Sequence, residues 1–309
     1  MNDLRMRTSL AALLTATALS ACGVPGQQAL PSGFAGASGE TLPVETTVST
    51  LPPVTTERLP AAETGLIPEQ ILQDETGTIH YSYYLPEGYD PNEQYPMMMV
   101  MPGYDMMWFG EDSSGANLDW QGFLCWTGLP EDMIVVSAQL TDWGETSARQ
   151  AIALTEYFLE NFSVAENRVY AAGYSAGGET MSQAVSLRPD LYAAYLHGAA
   201  QWDGEYAPVA AHGVAVYIFM AQGDEYYGVQ RAWDAYNGLR DAYLAAGWPE
   251  EELESVLQIQ TPDAAWFAQR GITGNYHGGG NVVFGETAVL DWILRQEKPF
   301  TQSTGGQGT

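Results

Sequence analysis

Apolar runs of strand length alternate with helical patterns through residues 66–300. Seven such runs are predicted strands: 79–85, 97–101, 133–138, 169–173, 193–197, 214–220 and 256–259. Several are unbroken apolar runs, which are typical of strands buried on both faces of a parallel sheet. Between them, Ala151, Leu154, Phe158 and Phe162 recur at intervals of three, four and four, which predicts one face of a helix. The alternation predicts a single α/β domain with a mostly parallel, doubly wound sheet flanked by helices, and a last helix from near Glu286.

The chain begins with a pattern typical of a secretion signal. Arg5 and Arg7 precede an apolar stretch that is too short to span a membrane. The sequence Leu19-Ser20-Ala21-Cys22 resembles a bacterial lipobox. We therefore expect residues 1–21 to be a lipoprotein signal peptide and Cys22 to receive a lipid that anchors the protein outside the cytoplasm, at the membrane or cell surface. The alternative is cleavage without lipidation.

The segments on either side of the domain lack a sustained apolar period. Residues 22–65 are rich in Pro, Thr, Ala, Gly and Glu, and we expect them to form a disordered tether. Residues 301–309 are rich in Gly and Gln and are predicted to be a disordered tail. If Cys22 carries a lipid, Cys125 is the only thiol left in the chain, so no intramolecular disulfide is expected.

The charge of the chain narrows the possible partners. There are 38 acidic and 11 basic residues, for a formal net charge of -27. Such a chain repels the phosphate backbone of nucleic acids, which argues against a nucleic-acid partner. Lys298 is the only lysine, and a phosphate loop of the Walker type needs a lysine within its motif. Nucleotide hydrolysis by that route is therefore excluded.

A candidate nucleophile lies in Gly173-Tyr174-Ser175-Ala176-Gly177. This Gly-x-Ser-x-Gly pattern follows the predicted strand 169–173 and precedes a helical run over residues 177–186. A strand, a sharp turn and a helix expose a serine hydroxyl at the top of a sheet, and small residues allow the turn. We therefore predict that Ser175 is a nucleophile.

A serine hydroxyl needs a base, and four histidines are available. His80 precedes the serine and His212 precedes the best acid candidate, so both break the chain order Ser, Asp, His. His197 lies inside an apolar run and is predicted to be a hydrogen-bonded core residue. His277 lies in Asn275-Tyr276-His277-Gly278-Gly279-Gly280, which we interpret as a glycine-rich loop able to place an imidazole over the sheet edge.

The acid of the constellation is predicted to be Asp224, which directly follows the apolar run 214–220. Loops that follow parallel strands lie at the edge where such sites assemble. Glu225 is the adjacent rival and Asp203 is a weaker one, and a surface or helix-capping carboxylate is the alternative reading of all three.

Two further features belong to the predicted site. An oxyanion needs fixed donors, and the backbone amides of Ala176 and Tyr104 occupy the expected places, after the nucleophile and after the strand 97–101. A substrate pocket could be lined by the aromatic side chains of Trp108, Trp202, Tyr226 and Tyr227. For these aromatic residues the alternative is ordinary packing at the rim of the sheet.

With these motifs the chain resembles the α/β-hydrolase superfamily, and within it secreted esterases similar to polyhydroxybutyrate depolymerases and feruloyl esterases. The resemblance rests on Pro102-Gly103-Tyr104, on Gly173-Tyr174-Ser175-Ala176-Gly177-Gly178, on Gly223-Asp224-Glu225 and on His277-Gly278-Gly279. It implies that Ser175, Asp224 and His277 form the triad and that no metal or organic cofactor takes part. The chain departs from many secreted depolymerases in two ways: it lacks their disulfides, and it has no obvious polymer-binding module.

Three functions are compatible with the sequence. The first is a serine carboxylic ester hydrolase that forms an acyl-enzyme on Ser175 and acts on small-molecule or glycan-linked esters, such as acyl or feruloyl esters. The second is a serine peptidase related to prolyl oligopeptidases, because the same triad cleaves amides. The third is a surface binding lipoprotein whose hydrolase scaffold has lost its activity.

Overall fold

Eight strands form one sheet in the part of the chain that the structure, a computed structural model, describes: residues 63–110 and 117–298. Their bounds are β1 (Gly65–Asp74), β2 (Gly77–Leu85), β3 (Tyr95–Met101), β4 (Ile134–Gln139), β5 (Val164–Tyr174), β6 (Ala194–Gly198), β7 (Ala215–Phe219) and β8 (Leu257–Gln260). The order across the sheet is β1-β2-β4-β3-β5-β6-β7-β8. Among the strand pairs of these described residues, β1/β2 and β2/β4 are antiparallel and the other five are parallel.

Nine α-helices connect and cover these strands within the same described residues. Their bounds are α1 (Gln121–Thr127), α2 (Glu145–Asn161), α3 (Ala176–Leu187), α4 (Tyr206–His212), α5 (Gln230–Ala245), α6 (Leu253–Val256), α7 (Ala264–Ala268), α8 (Tyr276–Gly279) and α9 (Thr287–Leu294). Helix α3 packs against α2 and α4, whereas α1 and α9 both contact a 3₁₀ turn at Gly280–Gly285. The predicted mostly parallel sheet flanked by helices is confirmed.

The central strands are hydrophobic because both of their faces are covered. Every residue of β3 and of β4 is buried, including Met97, Met98 and Met99. A strand of this kind has no solvated face, so its sequence is a continuous apolar run without alternation. This burial explains why β3 and β4 could be predicted. All seven predicted strands are found, with bounds that shift by a few residues.

Strand β1 was not predicted from the sequence. It lies at the edge of the sheet and pairs only with β2, and most of its residues are exposed or half-buried. The pairing shifts between Ile67 and Gln70, where Glu69 has a φ of 57°, so the strand contains a bulge next to Pro68. Proline and bulges are typical of edge strands, and together they remove the apolar run and the strict alternation by which a strand is recognised.

Residues 63–110 and 117–298 belong to one compact unit. The predicted signal peptide, the lipidated Cys22, nearly all of the predicted tether and the predicted tail lie outside the described residues. Within residues 63–110 and 117–298, none of the helices combines the length and the apolar content that crossing a bilayer requires.

Candidate active site

Ser175 occupies a strained turn between the end of β5 and the start of α3. Its backbone has φ 53° and ψ -124°, a region that residues with a Cβ rarely adopt, and its N–H donates to the carbonyl of Gly198 on β6. The turn also needs glycine nearby, because a Cβ on Gly177 would lie 2.2 Å from the carbonyl oxygen of Met101. The serine side chain is thus presented at the carboxyl ends of the parallel strands.

The structure brings three of the predicted side chains into one hydrogen-bonded chain. Ser175 Oγ lies 3.0 Å from His277 Nε2, and His277 Nδ1 lies 2.9 Å from Asp224 Oδ2. His277 lies 102 positions after Ser175 and 53 positions after Asp224, so the sheet and its loops bring the three residues together. An Nδ1–H that donates to the carboxylate leaves Nε2 free to accept the serine proton. This arrangement can activate an alcohol as a nucleophile.

Asp224 follows β7 and is almost fully buried, with 6% of its surface exposed. Its Oδ1 accepts hydrogen bonds from the backbone N–H groups of Tyr226 and Tyr227, at 3.0 and 2.8 Å. Burial acts to raise the pKa of Asp224, but the hydrogen bonds from His277 and from the two amides outweigh it and hold this pKa below its ordinary value. The carboxylate is therefore charged and fixed in orientation.

His277 lies on the short helix α8 and not on the irregular loop predicted from its glycines. Asn275, with φ 47°, caps this helix through a 3.1 Å hydrogen bond from the N–H of Gly278 to its side chain. The two carboxylate oxygens of Glu225 accept the N–H groups of Tyr276 and His277 at 2.8 and 2.9 Å. Asp224 and Glu225 thus hold the same residue by its side chain and by its backbone.

Glu225, the adjacent rival for the role of the acid, binds the backbone of Tyr276 and His277 and not the imidazole. The backbone amide of His277, and then that of Tyr276, lowers the pKa of Glu225, and the exposed carboxylate is therefore charged. Asp203, the weaker rival, accepts a 3.0 Å hydrogen bond from Gln201. Of the three carboxylates, Asp224 is the one in hydrogen-bond contact with His277.

The other histidines have separate environments. His197 is buried in β6, where its ring nitrogens lie 2.8 Å from the hydroxyl of Tyr195 and 3.1 Å from the carbonyl of Ala200, and burial lowers its pKa to about 4. His212 ends α4, with Nδ1 near the backbone carbonyl of Pro208. His80 lies on β2, which is separated in the sheet by β4 and β3 from β5, the strand that leads to Ser175.

The two predicted oxyanion amides belong to the first residues of helical segments. Ala176 begins α3, and Tyr104 begins a 3₁₀ turn at Tyr104–Met106. N–H groups at the start of a helix have no partner within it, and neither amide donates to another protein group among the described residues. A Cβ on Gly103 would lie 3.5 Å from the Cβ of Ser175, so the loop after β3 passes next to the nucleophile. Both amides are available to a ligand.

A cavity of about 410 Å³ opens at Ser175 and His277. Tyr226 and Tyr227, predicted as pocket residues, line it, and so does Tyr104. Tyr226 is 75% exposed and its ring stacks on the imidazole of His277 with the centroids 5.2 Å apart. The cavity has the size of a small-molecule site.

Trp108 and Trp202, the other predicted pocket residues, lie outside this cavity, which corrects the prediction. Trp108 stacks on His80 of β2 with ring centroids 3.5 Å apart. Trp202 packs against His197 and Tyr206 and donates its indole N–H to the carbonyl of Gly204. Both residues are near a strand end in the sequence, but that position did not determine whether their side chains line the cavity.

Several cavity residues were missed by the sequence analysis: Trp120, Trp143, Glu179 and Asn281. Glu179 is the most informative of them because it is a carboxylate with only 5% of its surface exposed. It comes four residues after Ser175, which places both on the same side of the helical start. That spacing was visible in the sequence and is the signal that could have identified it.

One family model matches part of the chain. The Prolyl oligopeptidase family model matches residues 137–239, from β4 into α5, a segment that contains Ser175 and Asp224 but not His277. No curated protein sequence matches the chain significantly.

Solved structures extend the likeness over most of the described residues. A thermostable esterase is 17% identical, with a TM-score of 0.62; the match covers 75% of this chain and 63% of the esterase. A protein from Bacteroides ovatus described as a dipeptidyl aminopeptidase IV is 12% identical, with a TM-score of 0.52 and coverage of 75% and 36%. A ferulic acid esterase is 13% identical, with a TM-score of 0.51 and coverage of 76% and 99%. This chain thus spans less than two thirds of the first two structures.

Proposed function

We propose that this chain, which has the α/β-hydrolase fold, is a serine carboxylic ester hydrolase in which Ser175, His277 and Asp224 act as a catalytic triad. The observation that carries the proposal is the continuous chain of hydrogen bonds from Ser175 Oγ through the imidazole to Asp224 Oδ2, at 3.0 and 2.9 Å. It opens on a cavity large enough for a small acyl group. Backbone strain of the kind seen at Ser175 clusters at functional sites.

The chemistry follows from the direction of these hydrogen bonds. His277 Nε2 removes the proton of Ser175 Oγ as the oxygen attacks the ester carbonyl, and the same nitrogen returns a proton to the leaving alcohol. Water activated by His277 then hydrolyses the acyl-enzyme. Asp224 holds the imidazole in the tautomer with hydrogen on Nδ1 and stabilises the imidazolium that forms.

The negative charge that develops on the carbonyl oxygen needs donors that are already in place. The amides of Tyr104 and Ala176 fill this role in the proposal, because both begin helical segments, both border the cavity and neither has another acceptor in the described residues. The helical end at Ala176 adds the positive end of the α3 dipole.

Aromatic side chains around the cavity favour acyl or feruloyl esters of glycans as substrates. Tyr104 packs edge-on against Trp143 with centroids 5.7 Å apart, and Tyr226 lies beside the imidazole. Flat, largely exposed rings of this kind contact other rings and the apolar faces of sugars. The likeness in fold to a ferulic acid esterase supports the same class.

Labelling with a fluorophosphonate probe tests the nucleophile, and a substrate panel tests the reaction. We expect the probe to label the protein but not its Ser175→Ala variant, and we expect turnover of p-nitrophenyl acetate and of methyl ferulate. If folded protein is not labelled, the reading as a surface protein with an inactive hydrolase scaffold replaces the enzyme. If only long-chain esters react, the glycan-ester class is wrong.

A serine peptidase is the second candidate, and the match to the Prolyl oligopeptidase family over residues 137–239 supports it. The same triad cleaves amides when the leaving amine is protonated. Aminoacyl p-nitroanilides distinguish the two candidates. A kcat/KM for the anilides equal to or above that for the matching esters would assign the protein as a peptidase.

We also propose that the enzyme acts outside the cytoplasm and is anchored to the membrane by a lipid on Cys22. The proposal rests on the lipobox-like sequence that ends at this cysteine. The strong net charge of -27 fits an enzyme that depends on a covalent lipid and not on attraction to anionic headgroups.

A further inference from the structure

Glu179 is a buried carboxylate without a counter-ion. It is 5% exposed, and no lysine or arginine forms an ion pair with it among the described residues. Its Oε1 accepts a 2.7 Å hydrogen bond from the hydroxyl of Tyr227, and no hydrogen bond to Oε2 is present in the same part of the chain. Burying a carboxylate without a cationic partner is costly. A group that supplies the missing positive charge would therefore be stabilised here.

The position of Glu179 links it to the reacting atoms. It lies on α3 one helical turn after Ser175, and it lines the same cavity. Its partner Tyr227 also lines this cavity, and burial, followed by the hydrogen bond to Glu179, raises the pKa of the Tyr227 hydroxyl so that it remains protonated. A substrate bound at Ser175 thus occupies the same cavity as the carboxylate.

The rest of the cavity lining also favours a cation. Asp105 adds a second carboxylate at the rim, and the described residues of the lining include no lysine or arginine. Six aromatic side chains of these described residues contribute to it: Tyr104, Trp120, Trp143, Tyr174, Tyr226 and Tyr227. Aromatic faces attract ammonium groups, and an aromatic wall combined with a carboxylate is a common way to bind them.

We infer that Glu179 is a specificity-determining residue that selects esters with a positively charged ammonium group close to the scissile carbonyl. The inference rests on the proposed ester hydrolysis at Ser175, and within carboxylic esters it favours cationic esters over the uncharged glycan esters. The ammonium group replaces the missing counter-ion of Glu179, while Ser175 attacks the carbonyl next to it. The strongly negative net charge of the chain would further concentrate such a substrate near the protein.

Two matched pairs of substrates test the inference in the full-length protein. The first pair is acetylthiocholine and its uncharged isostere, in which carbon replaces the ammonium nitrogen, so the charge is on the leaving group. The second is the p-nitrophenyl ester of trimethylammoniobutyrate and its carbon isostere, so the charge is on the acyl group. We expect kcat/KM for the charged member of at least one pair to exceed that of its isostere by roughly tenfold. The pair that responds shows which side of the scissile bond faces Glu179.

Glu179→Gln is the decisive variant, because glutamine still offers an oxygen to Tyr227 but carries no charge. We expect it to reduce the charged-to-neutral ratio by roughly tenfold, because kcat/KM falls more for the charged esters than for the neutral ones. Glu254→Gln removes an exposed carboxylate outside the cavity lining and should leave the ratio unchanged, which controls for the overall charge.

Three results would overturn the inference: ratios near one in the wild type, a preference that persists in Glu179→Gln, or an equal loss for charged and neutral esters, which would indicate a purely structural role. Hydrolysis of the neutral esters and labelling of Ser175 test the proposed function separately. The inference can therefore fail while the esterase proposal stands.

Discussion

Replacing Asp224 by asparagine is the most direct test of the triad, because the local hydrogen bonds determine how the amide must lie. Oδ1 of Asp224 accepts N–H groups from Tyr226 and Tyr227, so the amide oxygen of asparagine takes that position. The NH₂ group then faces His277 Nδ1 at the present 2.9 Å. The opposite orientation would aim an NH₂ at two N–H groups and lose both hydrogen bonds, each worth about 1 kcal/mol.

An NH₂ group can only donate, so His277 Nδ1 must become the acceptor and the ring proton must move to Nε2. Nε2–H then faces Ser175 Oγ, 3.0 Å away, and cannot accept the serine proton. A forced wrong tautomer of this kind lowers kcat by about 10⁴-fold in serine proteases, which corresponds to about 5 kcal/mol of transition-state stabilisation. We expect a loss of similar size here.

The assay is the turnover of p-nitrophenyl acetate by Asp224→Asn, with thermal unfolding followed by circular dichroism to show that the variant is folded. Asp203→Asn is the matched control, since this carboxylate was the weaker rival, and we expect its kcat to remain within about threefold of wild type. A folded Asp224→Asn variant whose kcat stays within tenfold of wild type would refute this reasoning.

Four further predictions concern other parts of the chain. Glu225→Gln removes one of two backbone acceptors from the helix that carries the imidazole, so kcat should fall between roughly tenfold and a hundredfold with little change in melting temperature; an unchanged kcat would contradict a positioning role. Gly177→Ala should lower the free energy of unfolding by about 3 kcal/mol in urea titrations, because the new Cβ would collide with the carbonyl of Met101, and a neutral effect would exclude that close approach. Burial raises the pKa of Glu179 in the folded protein, so its negative charge destabilises the fold above that raised pKa and has no effect below the pKa of the unfolded chain. Glu179→Gln should therefore raise the melting temperature at about pH 8 but not at about pH 4. An equal rise in melting temperature at both pH values would show that charge is not the cause. Cys22→Ser should move the protein from the membrane to the soluble fraction in cell fractionation, and an unchanged distribution would exclude the lipid anchor.

The sheet was largely predictable because burial on both faces leaves a simple mark on the sequence. The run Met97–Met99 reads as a strand since no residue of β3 faces water. The edge strand β1 has no such mark, because its bulge at Glu69 and its exposed residues remove both the run and the alternation. Residue patterns therefore identify central strands better than the strand that closes the edge.

The candidate site was predictable where chain order and element type restrict the choice. Ser175 was found from a strand, a glycine-rich turn and a helix, and His277 was selected from four histidines by its place after Asp224. The direction of a side chain is not restricted in this way, so Trp108 and Trp202 were assigned to a cavity that they do not line. The backbone contacts of Glu225 could not be foreseen either, since they depend on how two distant loops meet.

The start of α3 contacts the backbone at Met101, and this contact makes the position of the nucleophile turn independent of the residues at the rim of the cavity. A Cβ on Gly177 would lie 2.2 Å from the carbonyl oxygen of Met101, so the turn that carries Ser175 rests main chain on main chain against the segment that leads to Tyr104. Residues at the rim, such as Trp143, take no part in that contact. Under the proposed function, exchange of such rim residues would therefore redirect the site to a new substrate while the geometry of the chemical step is kept, which makes this fold a suitable starting point for laboratory evolution.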